Sequence, residues 1–137
     1  IDVINSKILK GFLMDKALDL KRMIHRSRNV VFFTGAGIST ESGIPDFRSP
    51  GGIWTKMAPI QFQDFLNSED MRRESWRRKF ETDKTLRAAK PNEGHYAIAR
   101  LISSGKASVV ITQNIDNLHQ DSGIPEEKVI DVMYLHI

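Results

Sequence analysis

A chain of 137 residues has room for one domain of ordinary size. Its 40% hydrophobic and 27% charged residues are globular proportions. No apolar run nears the ~20 residues that cross a bilayer, and a net charge of +3 argues for neither nucleic acid nor membrane. The absence of cysteine excludes disulfides and thiolate metal sites in this stretch, and with no basic-then-apolar leader at its start the expected setting is cytoplasmic.

The first periodic segment, Leu13 to Arg26, sets Leu13, Ala17, Leu20 and Ile24 on one stripe, the pattern of an amphipathic helix. Arg26, Ser27, Arg28 and Asn29 break it. Val30 to Phe33 is then an uncharged β-branched and aromatic run, as expected of a parallel strand covered on both faces. Gly35 and Gly37 follow at once. A residue without Cβ lets backbone N–H groups approach an anion and tolerates positive φ, so the turn suits a phosphate. Thr40 stands where a full dinucleotide fingerprint has its third glycine, and a lone GxG is weak evidence.

Pro50-Gly51-Gly52 is turn chemistry, and Ile53 to Phe80 offers helical segments with Trp54, Phe62, Phe65, Leu66 and Trp76 as expected apolar contacts. This reads as a helical insertion over about 50–90. Arg72, Arg73, Arg77, Arg78 and Lys79 cluster there, with Glu69, Asp70, Glu74 and Glu81 at helical spacings, which favours a solvated ion-paired face over a polyanion site. Asn92 caps a further helix whose packed face is expected at Tyr96, Ala97, Ile98, Leu101 and Ile102, and Gly105 closes it. Ser108 to Thr112 is the second strand. A short helix starts at Asn117, Gly123-Ile124-Pro125 turns the chain, and a third strand starts near Val129. Alternation of this kind implies an α/β fold: a parallel, Rossmann-like sheet with flanking helices, whose ligands sit at the carboxyl ends of the strands.

Three blocks carry a more specific signal: Gly35-Ala36-Gly37-Ile38-Ser39, Gly43-Ile44-Pro45-Asp46-Phe47-Arg48, and Thr112-Gln113-Asn114-Ile115-Asp116. In order and spacing they resemble the signature blocks of the sirtuin family, and the resemblance covers roughly Asn29 to His136. It implies the amino-terminal part of an NAD-binding catalytic domain of bacterial type. The implied activity is NAD-dependent protein-lysine deacylation, releasing nicotinamide and forming O-acyl-ADP-ribose, with acylated-lysine proteins as substrates.

On that resemblance Gly35, Ala36, Gly37 and Ser39 lie at the phosphates. Phe47 covers the nicotinamide ring on a loop with Asp46 and Arg48. Gln113 and Asn114 contact the nicotinamide ribose, and Asp116 with the Ile115 backbone holds the carboxamide. The residues by themselves leave plainer readings open: core packing for Phe47, an ion pair with Asp46 for Arg48, and a strand-end turn capped by Asp116. His136 and Asn114 are the implied catalytic pair, His136 as general base, a role a histidine near its ordinary pKa can fill at neutral pH. Surface or packing roles suffice for His25 and His95. His119 lies close enough to the cleft to support the site from behind.

Tyr134 and Ile137 depart from the family's glutamate and glycine around His136. The family's four-cysteine zinc module and its carboxyl-terminal half are expected to be absent from this chain, so no metal ligand is assigned. A half sheet of this kind is expected to expose an edge and apolar faces that invite self-association. Two other functions stay open: a mono-ADP-ribosyltransferase using the same cleft, and a non-catalytic NAD-binding or assembly module.

Overall fold

In the computed structural model, which describes residues 2–132, the opening helix α1 spans Asp2–Arg26 and so begins well before Leu13. It ends where Ser27 donates both its backbone N–H and its hydroxyl to the Met23 carbonyl, at 3.0 and 2.8 Å. The polar break after Arg26 is thus a hydrogen-bonded stop. The chain divides into two units, residues 1–30 and 31–137, and the sites described below lie in the second.

The apolar runs become strands β1 (Val30–Thr34), β2 (Ala107–Thr112) and β3 (Val129–Asp131), in the order β1-β2-β3 of a parallel sheet. Val110 pairs with Val129, Ile111 with Ile130 and Thr112 with Asp131. The ladder continues past the strand ends, where Gln113 N–H donates to Thr34 O and Val132 N–H to Thr112 O, both at 3.0 Å. Those extra bonds bring the loops after β1 and β2 side by side.

A 3-10 helix, Ala36–Ser42, leaves β1. Three helices follow, α2 (Ile53–Lys56), α3 (Phe62–Asn67) and α4 (Glu69–Ala88). Helix α5 (Glu93–Ser103) then packs on β2, and α6 (Leu118–Asp121) with the 3-10 turn Glu126–Lys128 leads to β3. The buried apolar core is Ile44, Ile98, Ile102, Ala107, Val110, Leu118 and Ile124. Gly105, at φ 73°, ends α5 in the left-handed conformation that a side chain would resist.

Three expectations need correction. Strand β1 is not covered on both faces: Val31 and Phe33 are 52% and 65% exposed, while Thr34 is buried. An apolar run permits two-sided burial, but a strand at the sheet's edge is covered only where other elements reach it. On α5, Tyr96 is exposed, and His95 takes the buried stripe with Ile98 and Ile102. Finally, Trp54, Phe62, Leu66 and Trp76 are exposed, and of the five expected contacts only Phe65 is half-buried.

Helix α4 is instead tied together by charge. Arg73 pairs with Glu69 at 2.7 Å, Arg77 reaches Glu74 at 2.7 Å and Glu81 at 2.6 Å, and Arg78 meets Glu74 at 2.7 Å. These are i,i+3 and i,i+4 partners on neighbouring turns, as the spacing requires. Hydrogen bonds from Arg77 and Arg78 hold the Glu74 carboxyl down at about 2. Ser68 caps the helix by accepting from Met71 N–H, and Arg72 donates to the last carbonyls of α3, Phe65 O and Leu66 O, at 3.0 and 2.9 Å.

Candidate functional site at the strand ends

The turn after β1 opens with Gly35 in extended backbone, φ −145° and ψ −171°. Neither Gly35 nor Gly37 has positive φ; in this segment that conformation falls to Gly43, at 85°. The value of glycine at position 37 is space. A Cβ built there meets nothing within 4 Å, so the backbone faces open volume that a ligand can approach.

Ser39, fully buried, is the hub between the two loops. Its hydroxyl donates to Asp116 Oδ2 at 2.6 Å and accepts from Asn114 Nδ2 at 3.2 Å. Asn114 Nδ2 also donates to Gly35 O at 3.1 Å, and its backbone N–H donates to Thr112 Oγ1 at 3.0 Å. The second Asp116 oxygen accepts from Leu118 N–H at 3.1 Å, across a bend whose Asn117 sits at φ 64°. The structure therefore brings together Gly35, Ser39, Asn114 and Asp116 from two segments more than seventy residues apart. Asp116 does cap the strand-end turn, and it joins the loops as well.

Behind this hub lies a layer that sequence reasoning undervalued. His95 and His119 are both buried, with ring centroids 5.0 Å apart and edge to face. His119 Nε2 is 2.8 Å from Thr34 Oγ1. Asn92 N–H donates to His95 Nδ1 at 3.2 Å, which places the proton of the neutral ring on Nε2. Among the described residues, His95 Nε2 and His119 Nδ1 have no hydrogen-bond partner. Burial pushes both imidazoles down, His119 to about 4 with His95 adding to the effect, while the nearby Asp116 charge opposes the shift in each. Both rings are neutral at physiological pH.

Asn92 is more than a cap: its Nδ2 donates to Ile38 O at 2.7 Å and Ser42 Oγ at 3.0 Å, fastening α5 to the 3-10 helix. The spacing Asn92-x-x-His95, that of a capping box, together with the 95, 98, 102 period, was the signal that marks His95 as interior.

Two concavities flank the hub. One, of about 290 Å³, is lined by Asn114, Ile115, Asp116, His119, Glu126 and Asp131 among others. The second, of about 380 Å³, lies between Gly37 and Thr40 on one side and the loop Pro45, Asp46, Ser49 and Gly52 on the other. Asp46 accepts from Ser49 N–H at 3.1 Å and from its hydroxyl, so it does not pair with Arg48. Arg48 stacks on Trp54 instead, Cζ 4.9 Å from the ring centroid. Phe47 is not core: it is 48% exposed and leans on the same Trp54, at 5.7 Å between centroids. Gln113 and Ile115 are exposed at the rim, with Gln113 Oε1 beside Gly35. His136, Tyr134 and Ile137 lie outside the described residues. Among those described, no cluster of three or more metal-binding side chains occurs, and a four-cysteine zinc site does not fit a chain without cysteine.

The model of the Sir2 family matches residues 35–136, three quarters of the chain and all three signature blocks. The chain belongs to the Sir2 family. Over 110 residues it is 58% identical to NAD-dependent protein deacetylase 1 of Bradyrhizobium diazoefficiens, covering 80% of this chain and 43% of that relative. It is 54% identical to an NAD-dependent protein deacetylase of Rhodopseudomonas palustris, at 80% and 44% coverage. Among solved structures, a Sir2 homologue mutant in complex with ADP-ribose superposes with TM-score 0.73 at 34% identity, over 83% of this chain and 45% of that one. A Sir2–p53 peptide–NAD+ complex superposes with TM-score 0.67 at 41% identity, over 86% and 44%. This Sir2 chain thus spans less than half the length of the relatives it matches, and what it matches is the part holding the strand-end hub.

Proposed function

We propose that this chain forms the amino-terminal, NAD-binding part of a protein-lysine deacylase, with acylated-lysine proteins as substrates. The observation that carries the reading is the Ser39–Asn114–Asp116 hub, which fixes the two signature loops against each other at the strand ends. The residues fit NAD. Open backbone at Gly37 suits a pyrophosphate, Arg48 supplies a cation, the exposed Gln113 amide with the half-buried Asn114 and Asp116 suits ribose and carboxamide, and Phe47 offers a flat apolar surface.

NAD, when bound, supplies a ribose carbon whose bond to nicotinamide is labile, and the chain's residues position the groups around it. Gly35, Ala36 and Gly37 present backbone to the phosphates. Asp116 and the Ile115 backbone hold the carboxamide, with Ser39 keeping Asp116 aligned from behind. Gln113 and Asn114 address the ribose hydroxyls. Phe47 excludes water, which protects a reactive centre from hydrolysis. His136, the general base in this reading, takes a proton from a ribose hydroxyl. The remainder of the catalytic domain, including any zinc module and the acyl-lysine channel, is supplied by sequence outside these 137 residues, and the reading carries a cytoplasmic location with it.

The test is nicotinamide release from NAD with an acetyl-lysine peptide. Three proteins are compared: this chain, a version extended through the rest of the catalytic domain, and the extended version carrying His136→Ala. Release by the extended protein that vanishes in His136→Ala supports the reading, and the short chain is expected to be silent. An extended protein without activity overturns it.

A further inference from the structure

We infer that Trp54 is a positioning residue for the cofactor loop: its indole face holds the Arg48 guanidinium in one place on the loop that borders the proposed phosphate cleft. The inference rests on the reading of this cleft as an NAD site and extends it to a residue outside the signature blocks.

Trp54 is exposed, yet its backbone is tied to the loop. Its backbone N–H donates to Phe47 O at 3.0 Å, and the preceding Ile53 N–H donates to Asp46 O at 2.8 Å, so the start of α2 is stitched onto the loop in register. Gly52 makes that closeness possible. A Cβ there would lie 2.7 Å from Asp46 Oδ1 and 2.9 Å from Asp46 O, which no other residue tolerates. The indole then serves both side chains that matter on the loop, the Phe47 ring at 5.7 Å and the Arg48 Cζ at 4.9 Å.

The chemistry of Arg48 explains why an aromatic partner is used. The nearby Asp46 carboxylate is spent on Ser49, and among the described residues Arg48 makes no ion pair. A carboxylate partner would neutralise the cation and compete with an incoming phosphate. An aromatic face orients the guanidinium while leaving its charge and its in-plane N–H donors available. A long side chain held in this way loses less rotamer freedom on binding, which favours affinity. Asp46 and Ser49, on either side of Phe47 and Arg48 in the chain, line the concavity of about 380 Å³ that faces Gly37, so the stacked cation belongs to the loop bordering that cleft.

The experiment measures ADP-ribose affinity by calorimetry, and the KM and kcat for NAD, in the extended protein and its variants. Trp54→Leu keeps apolar bulk but lacks the aromatic face, and Trp54→Phe keeps a face. Leu is expected to weaken ADP-ribose binding about two- to five-fold, the usual size of an exposed cation–π contact. The loss should fall on KM rather than kcat, with Phe close to wild type. In an Arg48→Ala background, Trp54→Leu should have no further effect. Equal affinity for Leu and Phe, or losses that multiply in the double variant, would overturn the inference while leaving the NAD site standing. Failure of the wild-type protein to bind ADP-ribose would remove the site and the inference together.

Discussion

Helix α4 and the strand-end hub are both rich in polar side chains, and they are held in opposite ways. On α4 the partners are three or four residues apart, largely exposed, and paired by formal charge. At the hub the partners are 50 to 85 residues apart, buried or half-buried, and joined mainly by hydrogen bonds with one carboxylate among them. Exposed ion pairs form in water at high dielectric and are screened by salt, so α4 gains its shape from local spacing and little stability from its charges. Buried hydrogen bonds are expensive to leave unmade, so each hub residue constrains two segments at once. The site is therefore the mechanically demanding region, and the charged helix is the tolerant one.

Acid should break that contrast most strongly. His119 has its folded pKa depressed from 6.5 to about 4, so the folded state binds fewer protons than the unfolded state between those values. Its stabilising effect is complete above 6.5 and is lost as the pH falls from 6.5 towards 4, a loss on the order of 3 kcal/mol. Urea midpoints measured from pH 7 to 4 should show this limb, and His119→Phe should flatten it. Glu74, with its carboxyl lowered from 4.5 to about 2, contributes in a separate window: stability present above 4.5 and lost as the pH falls towards 2. The two regions should thus titrate apart.

Asp116→Ala comes next. It strands the Ser39 hydroxyl and the Leu118 N–H together, with an expected loss of about 2 kcal/mol in urea unfolding and weaker NAD binding by calorimetry. Asn92→Ala removes the links to Ile38, Ser42 and Gly94, for about 1–2 kcal/mol by the same unfolding measurement. The smallest effect belongs to Glu74→Gln on α4. Its thermal midpoint should shift slightly at low ionic strength, and the difference from wild type should vanish in 1 M salt, roughly a 3 Å screening length. A hub variant rescued by salt, or an α4 variant as costly as Asp116→Ala, would erase the distinction.

Much of the site was legible because its chemistry lies in contiguous blocks. Ser39, Asn114 and Asp116 announce themselves beside glycines and strand ends, and the hub joins them. Phe47 and Arg48 were legible as loop residues, but their common partner was not, since nothing in the spacing of Trp54 says that it reaches back across a glycine pair. The contact between Thr34 and His119 was not legible for a related reason. A threonine closing a strand and a histidine opening a short helix look like local punctuation until the sheet sets them 2.8 Å apart.

The sequence by itself determined the local elements: the period of α4, the Asn92 cap, the Gly105 stop, and the apolar runs that become strands. These depend on neighbours within a turn or two, and that range is what a linear pattern encodes. Tertiary structure alone decided which faces are covered, that His119 is interior and therefore neutral, and which side chains meet at the hub. Those outcomes follow from the sheet's order and register. Pairing β2 between β1 and β3 sums small hydrogen-bond and burial energies over distant segments, and only that sum chooses which polar atoms leave water.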